Sequence, residues 1–194
     1  MYPNNDLKFR LFLLGDHGVG KTSILDLLLN GPNDHPIEKT IGLDLKLRTI
    51  EVEGKTAKLL LFDSSGDQRF RVMILPEVRS MDGIILVFDV TNESSFKNLE
   101  TWLERIGSYA PKDQNMILVG TKIDQPERRV VEYATAKALA EQLSVPYFET
   151  SRKEESNLSM FLTISKMIKD RKETANANNL IQVVEEPRSG GRCY

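Results

Sequence analysis

The sequence predicts an α/β fold: a six-stranded, mostly parallel sheet with one antiparallel edge strand and helices on both faces. Three observations lead to it. Short apolar runs alternate with stretches of helical periodicity along most of the chain. Two of those runs, Ile84 to Phe88 and Met116 to Val119, are continuously apolar, as strands covered on both faces are. Two others, around Leu43 to Leu47 and Leu59 to Phe62, flank the turn signal Glu53-Gly54 and read as an antiparallel hairpin at a sheet edge.

The elements follow in order. Phe9 to Leu14 is an apolar strand that ends in glycine, and Thr22 to Leu29 reads as a helix. Leu43, Leu45 and Leu47 alternate with Asp44, Lys46 and Arg48, the mark of a half-buried strand. Room remains for a short helix after Leu59 to Phe62. Phe96, Leu99, Leu103 and Ile106 follow helical spacing, with Asn92 as N-cap. Ala136, Leu139, Ala140 and Leu143 form another helix face, Val145 to Phe148 a last strand, and Phe161, Ile164 and Ile168 a final helix. Ligands of such sheets bind at the carboxyl ends of the strands.

Composition narrows the function. The chain has 194 residues, 28% of them charged, with a net charge of −2, which speaks against bulk binding to a nucleic-acid polymer. Residues 1–172 are read as one domain. Periodicity stops near Glu173, and residues 173–194 are read as a flexible tail. One cysteine, Cys193, and two histidines, His17 and His35, exclude a disulfide framework and a Cys/His metal centre. No apolar run approaches the ~18 residues of a membrane span. Leu11 to Leu14 is too short for a signal peptide. A soluble cytosolic domain is the expectation.

Gly15-Asp16-His17-Gly18-Val19-Gly20-Lys21-Thr22 fits the phosphate-loop pattern G-x-x-x-x-G-K-[ST], and Ser23 follows it. It lies between a buried strand and a helix, the context the pattern requires. Glycines let the backbone curl so that successive N–H groups face phosphate oxygens, and the helix adds its positive end. Lys21 reaches the β- and γ-phosphates, and the Thr22 hydroxyl ligates Mg²⁺. Asp63, at the end of a strand, suits an outer-sphere carboxylate for the metal.

Thr121-Lys122-Ile123-Asp124 follows a buried strand. A carboxylate there accepts hydrogen bonds from the N1–H and 2-amino group of guanine. Adenine offers neither donor and would leave a buried carboxylate unpaired. The Lys122 stem can lie along the base plane. Glu149-Thr150-Ser151-Arg152-Lys153 ends the last strand, where backbone N–H groups can bind the base oxygen.

With these motifs the chain resembles the small GTPases of the Ras superfamily, and most the Rab branch, from about Leu7 to Lys172. The resemblance is carried by GDHGVGKTS (Gly15–Ser23), TIGLD (Thr40–Asp44), RTIE (Arg48–Glu51), GIILVFDVT (Gly83–Thr91), SFKNLETWL (Ser95–Leu103) and VPYFETS (Val145–Ser151). It implies GTP or GDP with Mg²⁺ as cofactors. It implies that Thr40 binds the metal through its hydroxyl and the γ-phosphate through its N–H. Asp63-Ser64-Ser65-Gly66 then stands for the D-T-A-G segment, with the Gly66 N–H as the second γ-phosphate sensor. The implied effector surface comprises Ile41, Gly42, Leu43, Asp44, Leu45, Phe62 and Phe70. Implied partners are exchange factors, GTPase-activating proteins and effectors, with a prenylation escort and a dissociation inhibitor.

The chain also departs from that pattern. Asp67 stands where most members place the glutamine that orients water, and Gln68 follows it, so Asp67, Gln68 and Lys21 are the catalytic candidates and slow hydrolysis is expected. His17 is bulkier than usual and crowds the γ-phosphate. Arg152 replaces the alanine of S-A-K. The aromatic residue that packs on guanine is missing, and His35 is the nearest planar side chain. The Rab effector cluster corresponds to Leu45, Phe62 and Glu77, of which one is aromatic. A single penultimate Cys193 fits neither C-a-a-X nor a double-cysteine ending. If lipidated, it would hold the protein reversibly on the cytosolic face of an endomembrane, because Arg188 and Arg192 only balance Glu185 and Glu186. Two other classes share a phosphate loop: a non-hydrolysing GTP-binding scaffold, and a small-molecule kinase. The kinase requires a second substrate site and a basic lid, and the sequence offers no candidate for either.

Overall fold

A computed structural model of the chain describes residues 7–32, 40–67, 75–154 and 157–185. One sheet of six strands runs in the order β2-β3-β1-β4-β5-β6. Strands β1 (Leu7–Gly15), β3 (Lys55–Ser64), β4 (Gly83–Asp89), β5 (Asn115–Thr121) and β6 (Tyr147–Thr150) are parallel, and β2 (Leu43–Val52) pairs antiparallel with β3 at the edge. The expected hairpin turns at Glu53 and Gly54, both in the left-handed region. Helices cover both faces, as their apolar spacing predicts. On one face α1 (Lys21–Asn30) and α5 (Leu158–Glu185) bury Ile24, Leu25, Phe161, Ile164 and Ile168 against Phe9, Leu11 and Leu59. On the other, α3 (Leu99–Tyr109), α4 (Tyr133–Gln142) and a 3-10 turn at Leu75–Ser80 bury Trp102, Ile106, Ala136, Ala140 and Val78 against Phe12, Leu86 and Phe88. The 3-10 turn fills the place left for a short helix after the third strand.

Several details differ from the sequence reading. The helix from Asn92 to Ile106 is two pieces, α2 (Glu93–Lys97) and α3, separated at Asn98. Asn98 has a tightened ψ of −11°, and its amide donates to Asp16 at 2.6 Å. Asn92 caps α2, accepting from the Ser94 and Ser95 N–H groups at 3.1 and 3.4 Å. Strand β6 begins at Tyr147 rather than Val145. Pro146 has no N–H to give the ladder, and its carbonyl accepts from Leu118 N–H at 2.9 Å. Helix α5 continues past Glu173 to Glu185. Lys169 and Glu173 pair one turn apart at 3.8 Å where the helix passes that point. The alternating leucines of β2 point away from the core: Leu43, Leu45 and Leu47 are 38%, 50% and 67% exposed, while Ile50 and Val52 are buried. Alternation shows which residues share a face, not which face is covered.

Candidate nucleotide-binding site

The phosphate loop leaves the carboxyl end of β1 at Gly15. A Cβ there would lie 2.1 Å from the Val87 carbonyl oxygen, so only glycine lets β1 run this close to β4. The loop closes into α1, which begins at Lys21. Lys21 is 4% exposed, and its ammonium donates to the Gly15 and Asp16 carbonyls at 3.1 and 2.7 Å. Val19 is buried in the core, and its carbonyl accepts from the Thr121 hydroxyl. Asp16 has a second attachment. Its carboxylate turns away from the phosphate side and accepts from Asn98 Nδ2 at 2.6 Å and Trp102 Nε1 at 2.9 Å. Its contribution to the loop is its backbone. His17 is exposed, and its Nδ1 lies 3.2 Å from the Ser65 carbonyl oxygen.

Three side chains from three segments meet beside Lys21. The Thr22 hydroxyl donates to Asp63 Oδ2 at 2.6 Å, the Thr40 hydroxyl approaches the same oxygen at 3.1 Å, and the two hydroxyls are 2.9 Å apart. The other oxygen, Asp63 Oδ1, is buried with no hydrogen-bond partner among the described residues. Burial pushes the Asp63 carboxyl above its ordinary range, against the Thr22 hydroxyl, the Lys21 ammonium and the Thr40 hydroxyl. Two hydroxyls and a buried carboxylate with an unused oxygen are hard oxygen donors that fit Mg²⁺. Gly66 sits against this group at φ 68°. A Cβ on it would lie 2.5 Å from Lys21 Nζ and 2.6 Å from the Asp16 carbonyl. Next to it, the Asp67 N–H approaches the Ser65 hydroxyl at 3.4 Å.

A cleft of about 410 Å³ opens beside the loop, lined by Gly18, Gly20, Ser23 and Ile24 on one side and by Thr121, Lys122, Asp124, Ser151, Arg152 and Lys153 on the other. Asp124 is reached by Lys153 Nζ at 3.6 Å, an ammonium that can yield to a base with two N–H donors. Lys122 takes a left-handed φ of 64°, and its ammonium is held by Asp89 at 2.6 Å. That pair fixes the Lys122 stem along the cleft. Thr121 lines the cleft but acts through the loop, bonding Val19 and also the Phe88 carbonyl at 3.0 Å. Ser151 is buried, and its hydroxyl accepts from Lys153 N–H at 3.2 Å.

The family model described as "Ras family" matches residues 10–170. The chain belongs to the Ras family. The chain is 44% identical over 172 residues to "GTP-binding protein ypt1" of Schizosaccharomyces pombe, covering 88% of this chain and 85% of that protein. It is 43% identical over 183 residues to "Ras-related protein RABD2a" of Arabidopsis thaliana, covering 92% and 89%. The same identity over the same length, with the same coverage, relates it to "Ras-related protein RIC1" of Oryza sativa subsp. japonica. It is a Rab-like Ras-family member, and at that level its function is a GTPase switch of vesicle traffic.

In this Ras-family chain Leu43 and Leu45 share an exposed face with Phe62, and Asp44 alternates to the other face of the strand. Ile41 is 83% exposed, Asp44 is exposed, and Phe62 is half-buried with its ring edge-on to Phe12 at 6.3 Å between centroids. The Gly42 carbonyl accepts the Ser65 N–H at 2.9 Å, tying that segment to the phosphate side. Leu47 lies on the same exposed face as Leu43 and Leu45. The sequence reading missed a support beneath the base cleft: Arg129 grips Glu149 at 2.9 and 2.7 Å, and the Tyr147 hydroxyl donates to the same carboxylate at 2.7 Å. Burial opposes the Glu149 charge, but Arg129 and Tyr147 hold its carboxyl below the ordinary range. Phe70, Gln68, His35 and Cys193 lie outside the described residues. No helix among the described residues is long and apolar enough to cross a membrane.

Proposed function

We propose that the chain alternates between GTP- and GDP-bound forms with Mg²⁺ and hydrolyses GTP slowly. The observation that carries this reading is the meeting of Thr22 and Thr40 on Asp63 Oδ2, with Asp63 Oδ1 left without a partner. The three residues would hold Mg²⁺, which when bound supplies positive charge to the β- and γ-phosphate oxygens. Lys21 would exchange its two carbonyl partners for phosphate oxygens. Thr40 and Gly66 N–H groups would read the γ-phosphate, so that its loss releases both segments. Asp124 would select guanine, helped by the Lys122 stem and by backbone N–H groups of Ser151, Arg152 and Lys153.

Asp67 explains the slow rate. Neutral glutamine donates to phosphate and accepts from water, whereas ionised aspartate only accepts and brings negative charge to a negative transition state. Asp67→Gln then speeds hydrolysis, measured in a single turnover. A wild-type rate equal to that of Asp67→Gln, with Gln68→Ala slower, would move the role to Gln68. Exchange factors, activating proteins and effectors would act on the switch surface. A prenylation escort and a dissociation inhibitor would serve Cys193 if it carries a lipid, placing the protein on the cytosolic face of an endomembrane. Extraction and identification of the copurifying nucleotide tests the reading: GTP or GDP supports it, and ATP overturns it.

A further inference from the structure

His17 does more than occupy space in the phosphate loop. Its Nδ1 is 3.2 Å from the Ser65 carbonyl oxygen, and a carbonyl can only accept, so this ring nitrogen carries the proton. The N–H of Ser65 donates to the Gly42 carbonyl at 2.9 Å. Both backbone groups of Ser65 are therefore bonded, one to the phosphate loop and one to the segment just after Thr40. Ser65 is the residue at which three loops of the site are joined.

The position of that joint matters. The Ser65 carbonyl and the Gly66 N–H belong to one planar peptide and point in opposite directions. Fixing the carbonyl on His17 fixes the heading of the Gly66 N–H. Gly66 is also the residue packed against Lys21 and the Asp16 carbonyl, where a Cβ would not fit. We propose that His17 is a positioning residue: by holding the Ser65 carbonyl it keeps the Ser65–Gly66 segment docked on the phosphate loop whether or not a γ-phosphate is present. The inference rests on the guanine-nucleotide reading above and concerns the same site. An ordinary switch of this kind depends on the γ-phosphate alone to hold the two sensors. Here the segment that carries one sensor is also gripped by the phosphate loop, so it stays ordered in the GDP form. A ligand shifts such an equilibrium only by its difference in affinity for the two states, so a segment already held in the GDP form leaves the γ-phosphate less to order.

Two substitutions separate the N–H from the bulk of the ring. Asparagine carries an amide nitrogen two bonds from Cβ, as Nδ1 is, and can restore the donor. Leucine fills space and has no donor. Hydrogen–deuterium exchange of the full chain, loaded with GDP·Mg²⁺, reads the amides of Ser65, Gly66 and Asp67. His17→Leu should speed their exchange by about two- to twelvefold, the worth of one net hydrogen bond, while His17→Asn stays near wild type. With a non-hydrolysable GTP analogue the gap between Leu and Asn variants should shrink, because the γ-phosphate then supplies the hold. Equal exchange in all three proteins with GDP overturns the proposal, as does an equal rise in both variants. Failure of wild-type protein to load GDP would instead overturn the nucleotide reading itself, so the two failures are distinct.

Discussion

At the scale of single residues, the site is shaped by close approaches. Gly66 sits where even a methyl group would meet Lys21 Nζ at 2.5 Å, and its φ of 68° is one that residues with a side chain rarely adopt. Gly66→Ala should leave GDP bound but keep the segment off the phosphate loop. Its GTP form should then fail to gain exchange protection over its GDP form. Gly15→Ala is expected to be worse for stability. Its Cβ would lie 2.1 Å from a strand carbonyl, and urea unfolding should register a loss of about 2–4 kcal/mol from strain and overpacking. Asp124→Asn should weaken guanine nucleotides and favour xanthine ones, because xanthine offers an acceptor where guanine has its 2-amino donor. Competition binding measures it. These residues were legible in the sequence because a phosphate loop and a T-K-x-D segment each concentrate their chemistry within a few consecutive positions. The chain folds them into place locally. The partners of the Asp16 carboxylate were not legible, because the loop pattern fixes backbone geometry and says nothing about where a side chain at a free position turns.

At the scale of elements, the sheet and its helices were readable from periodicity, while the links between elements were not. Arg129 and Glu149 are 20 residues apart, and Asp16 and Trp102 are 86 apart; no local pattern joins such partners. The boundary of β6 was a matter of one proline. Another link of this kind ties the β2–β3 turn to α5. Glu53 pairs with Lys166 at 2.8 Å and with Lys169, and Lys55 pairs with Glu173 at 3.7 Å. Hydrogen bonds from Lys166 and Lys169 hold the Glu53 carboxyl down at about 2, from an ordinary 4.5. A depressed carboxylate stabilises the fold above its unfolded value and loses that contribution as pH falls through its folded value. Glu53→Gln should therefore lower the urea midpoint slightly at neutral pH. The gap to wild type should close as pH falls from about 4.5 toward 2, and should also narrow in high salt, since the pair is exposed. A gap that is constant with pH would show that the turn, not the charge, matters.

At the scale of the whole molecule, the site is a junction between the two faces of the sheet. The phosphate loop starts α1 on one face, and through Asp16 it is bonded to α3 on the other. Trp102 is 1% exposed, buried with Phe12, Leu86 and Ile106, and its indole N–H donates to that carboxylate at 2.9 Å. Trp102→Phe removes the donor. It should release nucleotide faster by about ten- to a hundredfold, in keeping with the ~1.5–3 kcal/mol of a hydrogen bond to a charged group, with the fold retained by circular dichroism. The chain contains one tryptophan. Its emission therefore comes from a single indole wired by its own proton to the loop that closes on phosphate. Loading, exchange and hydrolysis should each alter the field at that ring, and the protein carries an intrinsic optical gauge of its nucleotide state that needs no label.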